Sequence, residues 1–302
     1  MKQKSTRDAF GEELFKQANR EPRVVVVSAD LASSMRVRLF ARRYPARFFE
    51  VGVAEQNAAS VAAGLALGGK IPFLVSFACF SPTLNWGQIR QSICLNNANV
   101  KIVGSHGGLA TGADGATHQA LGDIALMRIL PGVKVFAPLD FNQTKQIVRT
   151  MIKDDGPSYL RLVKPETIVY PSHPFKLGQA EILKRGTRAT LVGCGPILTE
   201  TINRFEKKLI GVEIINCSTI KPLDTERIIR SINKTKKVIT IEDHQIIGGL
   251  GSAVAEIMAE NKLRAKLTRV GVNDCFGESA RDFRLLWEEY LWEPLKKALS
   301  QI

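Results

Sequence analysis

Residues 48–68, FFEVGVAEQNAASVAAGLALG, restrict the possible folds more than any other segment of the chain. An apolar strand at 48–53 is predicted to lead directly into a helix rich in alanine and other small residues. No charged residue follows Glu55 until Lys70. The helix is therefore predicted to be buried on all sides, within a large α/β core or an obligate interface.

Glu55 is the carboxylate at the start of this predicted helix. Burial raises the pKa of a carboxyl group unless the group finds a partner, and a carboxylic acid in that state can share a proton with a ring nitrogen. The alternative is an ordinary carboxylate at a helix N-terminus, stabilised by backbone N–H groups. The residues alone leave both interpretations open.

Strands and helices alternate along the whole chain. Strands are predicted at 23–30, 71–77, 100–104, 133–138, 158–162, 189–193, 212–215, 238–241 and 267–270, with helices that include 5–20, 140–153 and 280–299. This pattern predicts two consecutive open, mostly parallel-sheet α/β domains, at 1–165 and 178–302. The segment 166–177 is predicted to be the linker between them, and His173 within it is expected to have no chemical role.

The glycine-rich loop, residues 105–119 with the sequence SHGGLATGADGATHQ, has the composition of a binding site. Its glycines argue against a helix or a packed strand. It contains two of the four histidines of the chain, His106 and His118, with Asp114 between them. A zinc site is one interpretation, but the spacing is poor and no third ligand lies nearby in the sequence.

These motifs together resemble the transketolase family of thiamine diphosphate enzymes. The resemblance rests on GVAEQN before the alanine-rich helix, on PFLVSFACF at 72–80, and on the pattern H-x7-D-G-x-T-H within the loop. It extends through TIEDHQIIGGLGSAVAE and FGESA to essentially the whole chain. The resemblance implies a pyrimidine-binding domain followed by the C-terminal domain of that family, with thiamine diphosphate as the cofactor.

The resemblance also implies roles for individual residues. Glu55 would hydrogen-bond N1′ of the aminopyrimidine, with Phe77 and Phe80 stacked at the ring and Asp30 near the cofactor. His106 and His118 would relay protons, and with Asp114 they would contact sugar hydroxyls; Arg7, Ser34 and Lys164 would bind substrate phosphate. Core packing for the phenylalanines and surface solvation for Arg7 and Lys164 remain alternatives. Thr83 stands where the family often has a further aromatic residue, and His244 receives no assigned role.

The chain contains no GDG sequence, the motif with which this superfamily begins its site for the diphosphate and a divalent metal ion. No metal ligand is therefore expected here. The resemblance instead implies a separate N-terminal subunit that holds Mg²⁺ and the diphosphate, a self-dimer of this chain, and a heterotetramer of both chains. Because Met1 directly precedes the first predicted helix, a natural C-terminal subunit is expected rather than a truncated enzyme.

Composition argues against several other classes of protein. The net charge of +13 comes from dispersed basic residues without an aromatic stacking set, so a nucleic-acid function is not expected. Five cysteines without CxxC spacing argue against zinc sites and disulfides. No uninterrupted run of eighteen apolar residues and no apolar signal core are found, so no membrane span is expected and the cytoplasm is the expected location.

The expected activity is transfer of a two-carbon ketol unit from a ketose, as its phosphate, to an aldose, as in the pentose phosphate reactions of carbohydrate metabolism. Alternatives are an enzyme of the deoxyxylulose-phosphate synthase type, a beta subunit of a 2-oxoacid dehydrogenase, and a non-catalytic partner that retained the fold. His106, Asp114 and His118 favour a sugar donor over the other thiamine diphosphate enzymes, since the resemblance assigns them to sugar hydroxyls.

Overall fold

Fourteen strands form three sheets in the residues that the computed structural model describes, 2–171 and 174–302. His173 lies outside the described residues. The strands are β1 (Gln3–Ser5), β2 (Val24–Ser28), β3 (Phe48–Glu50), β4 (Ile71–Phe77), β5 (Lys101–Ser105), β6 (Lys134–Phe136), β7 (Ser158–Arg161), β8 (Glu166–Ile168), β9 (Glu181–Lys184), β10 (Ala189–Gly193), β11 (Val212–Asn216), β12 (Thr219–Lys221), β13 (Lys237–Gln245) and β14 (Lys266–Val272).

The helices fall between these strands. The α-helices are α1 (Thr6–Ala18), α2 (Arg38–Arg43), α3 (Glu55–Leu67), α4 (Trp86–Gln88), α5 (Asp123–Arg128), α6 (Phe141–Lys153), α7 (Ile197–Arg204), α8 (Thr225–Thr235), α9 (Leu250–Glu260), α10 (Phe283–Trp287) and α11 (Glu293–Leu299). Two π-helical segments, Ile89–Cys94 and Glu288–Trp292, continue α4 and α10, and 3₁₀ turns occur at Pro45–Arg47 and Leu109–Asp114.

The first sheet has seven strands in the order β12-β6-β7-β5-β4-β2-β3, and all of its pairs except β12 with β6 are parallel. Its two faces are covered by different helices. Val26 packs with Phe10 of α1 and Ile147 of α6 on one face, whereas Val27 packs with Ala58 of α3 on the other. This alternation of buried side chains is expected for a strand covered on both faces.

The second sheet has five strands in the order β14-β13-β10-β11-β9, with β9 antiparallel at one edge. Trp287, Leu291 and Leu295 of the closing helices pack in the same core as Leu191 and Ile241 of the sheet. The predicted fold class, two consecutive mostly parallel α/β domains, is confirmed.

Four short strands were not predicted, and three of them connect distant parts of the chain. β8 lies inside the predicted linker 166–177 and pairs antiparallel with β1, which was also not predicted, so this segment is not irregular throughout. β12 follows β11 in sequence but pairs antiparallel with β6 of the first sheet. The fourth is the edge strand β9. Short strands of this kind carry too little periodicity to be recognised without their partners.

The alanine-rich helix α3 is buried on one side only, contrary to the prediction of burial on all sides. Ala58, Ala59 and Ala62 are buried, whereas Ser60 and Leu67 are exposed. The preceding strand also ends earlier than predicted, at Glu50. An uncharged helix face that remains exposed in the single chain fits the interface alternative rather than the core alternative.

No helix in the described part of the chain combines the length and the apolar character that crossing a bilayer requires.

Candidate active site

Four neighbouring parallel strands end at one edge of the first sheet, and predicted site residues follow each of them. Asp30 follows β2, Phe77 ends β4, His106 follows β5 and Lys164 follows β7. The carboxyl ends of parallel strands are where open α/β sheets bind ligands. The sheet topology thus brings together residues that lie up to 134 positions apart in the sequence.

Glu55 is the first residue of α3 and is 7 % exposed. Its Oε1 accepts a hydrogen bond from Ser76 Oγ of β4 at 3.3 Å. Asn85, which is fully buried, donates from Nδ2 to the Glu55 carbonyl oxygen at 3.1 Å and to Ser81 Oγ at 3.1 Å. A carboxylate can accept about four hydrogen bonds, so Glu55 retains capacity for a further donor.

Ser76 and Asn85 were not singled out in the sequence. A signal for Ser76 exists, because it is the one polar residue in the apolar strand IPFLVSF, and a buried hydroxyl needs a partner. Asn85 carries no such signal, since its contacts with Glu55 and Ser81 depend on how the turn after β4 folds.

Four aromatic side chains form a cluster at the end of β4, the strand whose Ser76 contacts Glu55. This ring cluster consists of Phe77, Phe80, His106 and His118. The Phe77 and Phe80 rings stack at 5.8 Å between centroids with 22° between their planes. His106 lies 3.8 Å from the Phe77 centroid, and His118 lies edge-on to Phe80 at 5.6 Å. The ring cluster therefore joins the end of β4 to both ends of the glycine-rich loop.

The glycine-rich loop forms no α-helix, in line with the prediction, but it contains two short 3₁₀ turns within Leu109–Asp114. Gly112 interrupts the turns with φ of 68°, and Gly108 and Gly115 also have positive φ. Glycine adopts this region without strain, and 3₁₀ turns need only a few residues. The loop is consequently folded against the protein, with residues 105–112 buried.

His106 is 3 % exposed and has φ of 61°. Its Nδ1 shares a 2.9 Å hydrogen bond with Ser105 Oγ. Burial, followed by the positive charges of Arg7 and Lys164, lowers the pKa of His106 to about 3. His106 is therefore neutral at pH 7. A neutral imidazole can still accept or donate a hydrogen bond.

Asp114 and Lys164, both predicted to bind substrate, bind each other. Lys164 Nζ lies 2.7 Å from Asp114 Oδ2, and each side chain is more than one-third exposed. The hydrogen bond from Lys164 lowers the pKa of Asp114 below its usual value. His118, partly buried in the same loop, shares a 2.9 Å hydrogen bond through Nδ1 with Thr117 Oγ1.

Arg7 and Ser34, which the resemblance assigns to the substrate phosphate, lie next to each other and are in contact through the main chain of Ser34. Arg7 Nη1 donates to the Ser34 carbonyl oxygen at 3.0 Å. Among the described residues, no partner accepts from the buried Arg7 Nε. Burial and the charge of Arg36 lower the pKa of Arg7. A buried N–H donor without an acceptor destabilises the fold. Arg7 Nε is therefore available to donate a hydrogen bond to a ligand near His106.

Asp30 is exposed with φ of 57°, and its backbone N–H donates to Glu50 Oε1 at 2.7 Å. Among the described residues, no hydrogen bond or ion pair links Asp30 to the ring cluster. Asp30 lies at the same carboxyl edge of the sheet as the other predicted site residues, but its hydrogen bond is to Glu50.

Arg161, the last residue of β7, is not available to an anionic substrate. Its side chain is 5 % exposed, and Nε lies 2.9 Å from Asp123 Oδ2. His244 is fully buried, with Nδ1 2.7 Å from the Gln245 carbonyl oxygen, and burial lowers its pKa to about 4. Both residues connect the two domains instead of facing a ligand, since Arg161 Nη2 donates to the Asp243 carbonyl oxygen and His244 Nε2 accepts from the Ala125 backbone N–H. Asp243 also connects the domains, by accepting from the Leu109 backbone N–H, and the sequence did not reveal this role.

Among the residues that the structure describes, no three His, Cys, Asp or Glu side chains are grouped so that they could hold a metal ion. Glu55 with the Phe77 and Phe80 rings does fit one half of a heteroaromatic cofactor, since a buried carboxylate with spare accepting capacity lies near two stacked apolar faces.

Two family models match the chain. One describes the transketolase pyrimidine binding domain and matches residues 2–168, and the other describes the transketolase C-terminal domain and matches residues 178–291.

Two curated relatives match over most of their length. A "Putative transketolase C-terminal section" from Methanocaldococcus jannaschii is 42 % identical over 291 residues, which cover 94 % of this chain and 91 % of the relative. A "6-deoxy-6-sulfo-D-fructose transketolase subunit" from a Clostridium species is 39 % identical, covering 90 % of this chain and 86 % of that subunit.

A solved structure described as "Split gene transketolase, inactive beta4 tetramer" superimposes with a TM-score of 0.86. It is 37 % identical and covers 98 % of this chain and 97 % of that chain.

Proposed function

Because this chain belongs to the transketolase family, we propose that it is the C-terminal subunit of a two-subunit transketolase, which transfers a two-carbon ketol unit from a ketose phosphate to an aldose. The observation that carries this proposal is the match in length. The chain covers 91 % of a relative named as a transketolase C-terminal section and 97 % of a structurally similar chain from a split-gene transketolase. The pentose phosphate reactions and the cytoplasm stay predictions.

The proposed cofactor is thiamine diphosphate. When bound, it supplies the nucleophilic carbon and the electron sink for the reaction. Glu55 would hold a proton on a pyrimidine nitrogen, and Phe77 and Phe80 would orient the ring by stacking. Asp30 remains a proposed residue near the cofactor. We assign the Mg²⁺ ligands and the diphosphate site to the N-terminal subunit.

The substrate would lie across the ring cluster and the glycine-rich loop. His106, neutral at pH 7, and His118 would hydrogen-bond the sugar hydroxyls and relay protons, with Asp114 as an acceptor. Arg7, Lys164 and the Ser34 segment would bind the phosphate. The positive charges of Arg7 and Lys164 are both close enough to His106 to lower its pKa. Arg7 Nε is buried without a hydrogen-bond acceptor among the described residues. These observations support an anion-binding site beside the loop.

Assembly is the second part of the proposal. The exposed, uncharged face of α3 lies beside Val53 and Leu84, which are 81 % and 56 % exposed. An uncharged apolar surface next to Glu55 supports an interface at this edge. We propose that two copies of this chain pair and that two N-terminal subunits complete a heterotetramer.

A sugar donor remains favoured over the chemistry of a deoxyxylulose-phosphate synthase or a 2-oxoacid dehydrogenase beta subunit, because His106, Asp114 and His118 all lie at one site. A non-catalytic partner is disfavoured, since Glu55 and the ring cluster are intact.

Cofactor binding and assembly mass test this proposal. Isothermal titration of thiamine diphosphate with Mg²⁺ should give saturable binding to the mixture with a GDG-containing N-terminal subunit and weak or no binding to this chain alone. Light scattering should give the mass of two copies of each chain. Tight cofactor binding by the isolated chain would contradict the split site, and a mixture that never associates would contradict the partnership.

A further inference from the structure

The carboxyl end of β13, in the second domain, lies directly under the glycine-rich loop of the first domain. Asp243, 4 % exposed, accepts two hydrogen bonds there. Its Oδ1 accepts from the Leu109 backbone N–H at 2.9 Å, and its Oδ2 accepts from Trp287 Nε1 at 2.9 Å. One carboxylate thus links the loop of the first domain to the closing helix of the second.

The loop backbone rests closely on this carboxylate. A Cβ atom at Gly108 would lie 2.2 Å from Asp243 Oδ2, and Gly108 has φ of +81°. Arg161 adds a second link, because its Nη2 donates to the Asp243 carbonyl oxygen at 2.7 Å and to that of Ala120 at 3.1 Å. Any side chain at Gly108 would therefore displace the loop from Asp243.

The segment 277–283 of the second domain holds the other end of the loop. Ser279 Oγ donates to the Ala113 carbonyl oxygen at 2.9 Å, next to Asp114. Gln119 Nε2 donates to the Glu278 carbonyl oxygen at 2.8 Å. The second domain consequently contacts the loop on both sides of Asp114.

Glu242, the residue before Asp243, provides a contrast. It is fully buried and accepts from the Leu250 and Gly251 backbone N–H groups, both at 2.7 Å, at the start of α9. Successive side chains of a strand point to opposite faces, so Glu242 supports the second domain while Asp243 supports the loop. Both carboxylates are buried and accept two N–H hydrogen bonds, so they differ mainly in which segment they hold.

We propose that the second domain sets the geometry of the active-site loop, with Asp243 as the main positioning residue and Ser279 as a second one. This inference rests on the proposed function, since it assigns the loop to sugar binding. Asp243 would act through Leu109 on the orientation of His106 and Asp114, without touching the substrate.

The matched variants are Asp243→Asn and Glu242→Gln. Each replaces one buried carboxylate by its amide, whose NH2 group cannot accept, so that one of the two N–H donors loses its hydrogen bond. Deuterium exchange of the full chain, followed by mass spectrometry, should show at least about 10-fold faster exchange in 105–119 for Asp243→Asn. Glu242→Gln should leave this loop unchanged and affect the start of α9.

Ketol transfer by the complex with the N-terminal subunit supplies the second readout. Asp243→Asn should lower kcat/KM for a ketose phosphate about 10-fold or more, with a much smaller loss for hydroxypyruvate. Glu242→Gln should change both donors equally. Ser279→Ala, an exposed position that should fold normally, should shift loop exchange and donor preference in the same direction by a smaller factor.

Three outcomes decide whether the second domain positions the loop. Faster loop exchange in Asp243→Asn and Ser279→Ala, together with a lost donor preference, supports the proposal. Loop exchange that matches wild type in both variants, or that rises equally in Glu242→Gln, overturns it. If the wild-type complex transfers no ketol unit, the proposed function fails, while exchange in the full chain still decides whether Asp243 positions the loop.

Discussion

Acidification from pH 7.5 to pH 5 should leave His106 uncharged in the folded protein. Burial, then the charges of Arg7 and Lys164, lower its pKa to about 3, while Asp114 opposes this shift and His118 adds to it. At pH 5 a histidine with the ordinary pKa of about 6.5 is about 97 % protonated, whereas one with a pKa of about 3 is about 1 % protonated.

This difference makes the free energy of unfolding depend on pH. Between pH 6.5 and pH 3 the unfolded chain binds a proton that the folded chain does not bind at His106, so stability falls as the pH falls through this range. At pH 5 the loss from His106 is about 2 kcal/mol. His244, whose pKa is lowered to about 4 by burial, should add a loss of similar size.

The variant His106→Asn isolates the contribution of His106. Asparagine tolerates the positive φ of 61° at this position, and it does not titrate. Urea unfolding at pH 7.5 and pH 5 should show a loss on acidification that is about 2 kcal/mol smaller in the variant than in wild type.

Carbon-13 NMR of labelled histidine measures the same quantity directly. The His106 signal, assigned by its absence from His106→Asn, should not titrate between pH 5 and pH 8. A midpoint between pH 6 and pH 7, or an equal loss of stability on acidification in wild type and variant, would refute this reasoning.

Three further predictions concern single carboxylates. Glu55→Gln should fold normally yet lower ketol transfer by the complex at least about 100-fold; activity within a few-fold of wild type would return Glu55 to a structural role. Asp114→Ala should lower kcat/KM for the preferred ketose about 10- to 150-fold and affect hydroxypyruvate much less, whereas equal losses would show that Asp114 only holds the loop. Asp140→Ala should cost about 0.5–2 kcal/mol in urea unfolding, because its carboxylate caps α6 by accepting from the Gln143 N–H at 2.8 Å; an unchanged midpoint would contradict this.

Local pattern in the sequence indicated only part of the candidate site. Phe77 was assigned through the family resemblance, and His106 through that resemblance and the composition of the glycine-rich loop. In the structure both stand at the end of an apolar strand, and the ends of parallel strands meet at one edge of a sheet. Glu55 was found because an uncharged run follows it. Local pattern also placed the long strands of both sheets.

Features that depend on distant partners could not be predicted in the same way. The burial of Arg161 depends on Asp123, and the role of Asp243 depends on Leu109, 134 residues away. β12 joins the first sheet only because the second domain packs beside β6. None of these pairings leaves a periodic signal in the sequence, since each partner alone resembles an ordinary polar or apolar residue.

The exposed face of α3 could not be predicted from the sequence for a different reason. Its uncharged sequence indicated burial but could not distinguish a core from an interface, because both require the same residue types. The fold of the single chain leaves that face uncovered.

Ketol transfer at increasing molar ratios of this chain to a GDG-containing N-terminal subunit tests the central claim most directly. Each chain alone should be inactive, and activity should rise with the ratio and reach its maximum at equal amounts of the two chains. Full turnover by this chain alone, or no turnover at any ratio, would contradict the account.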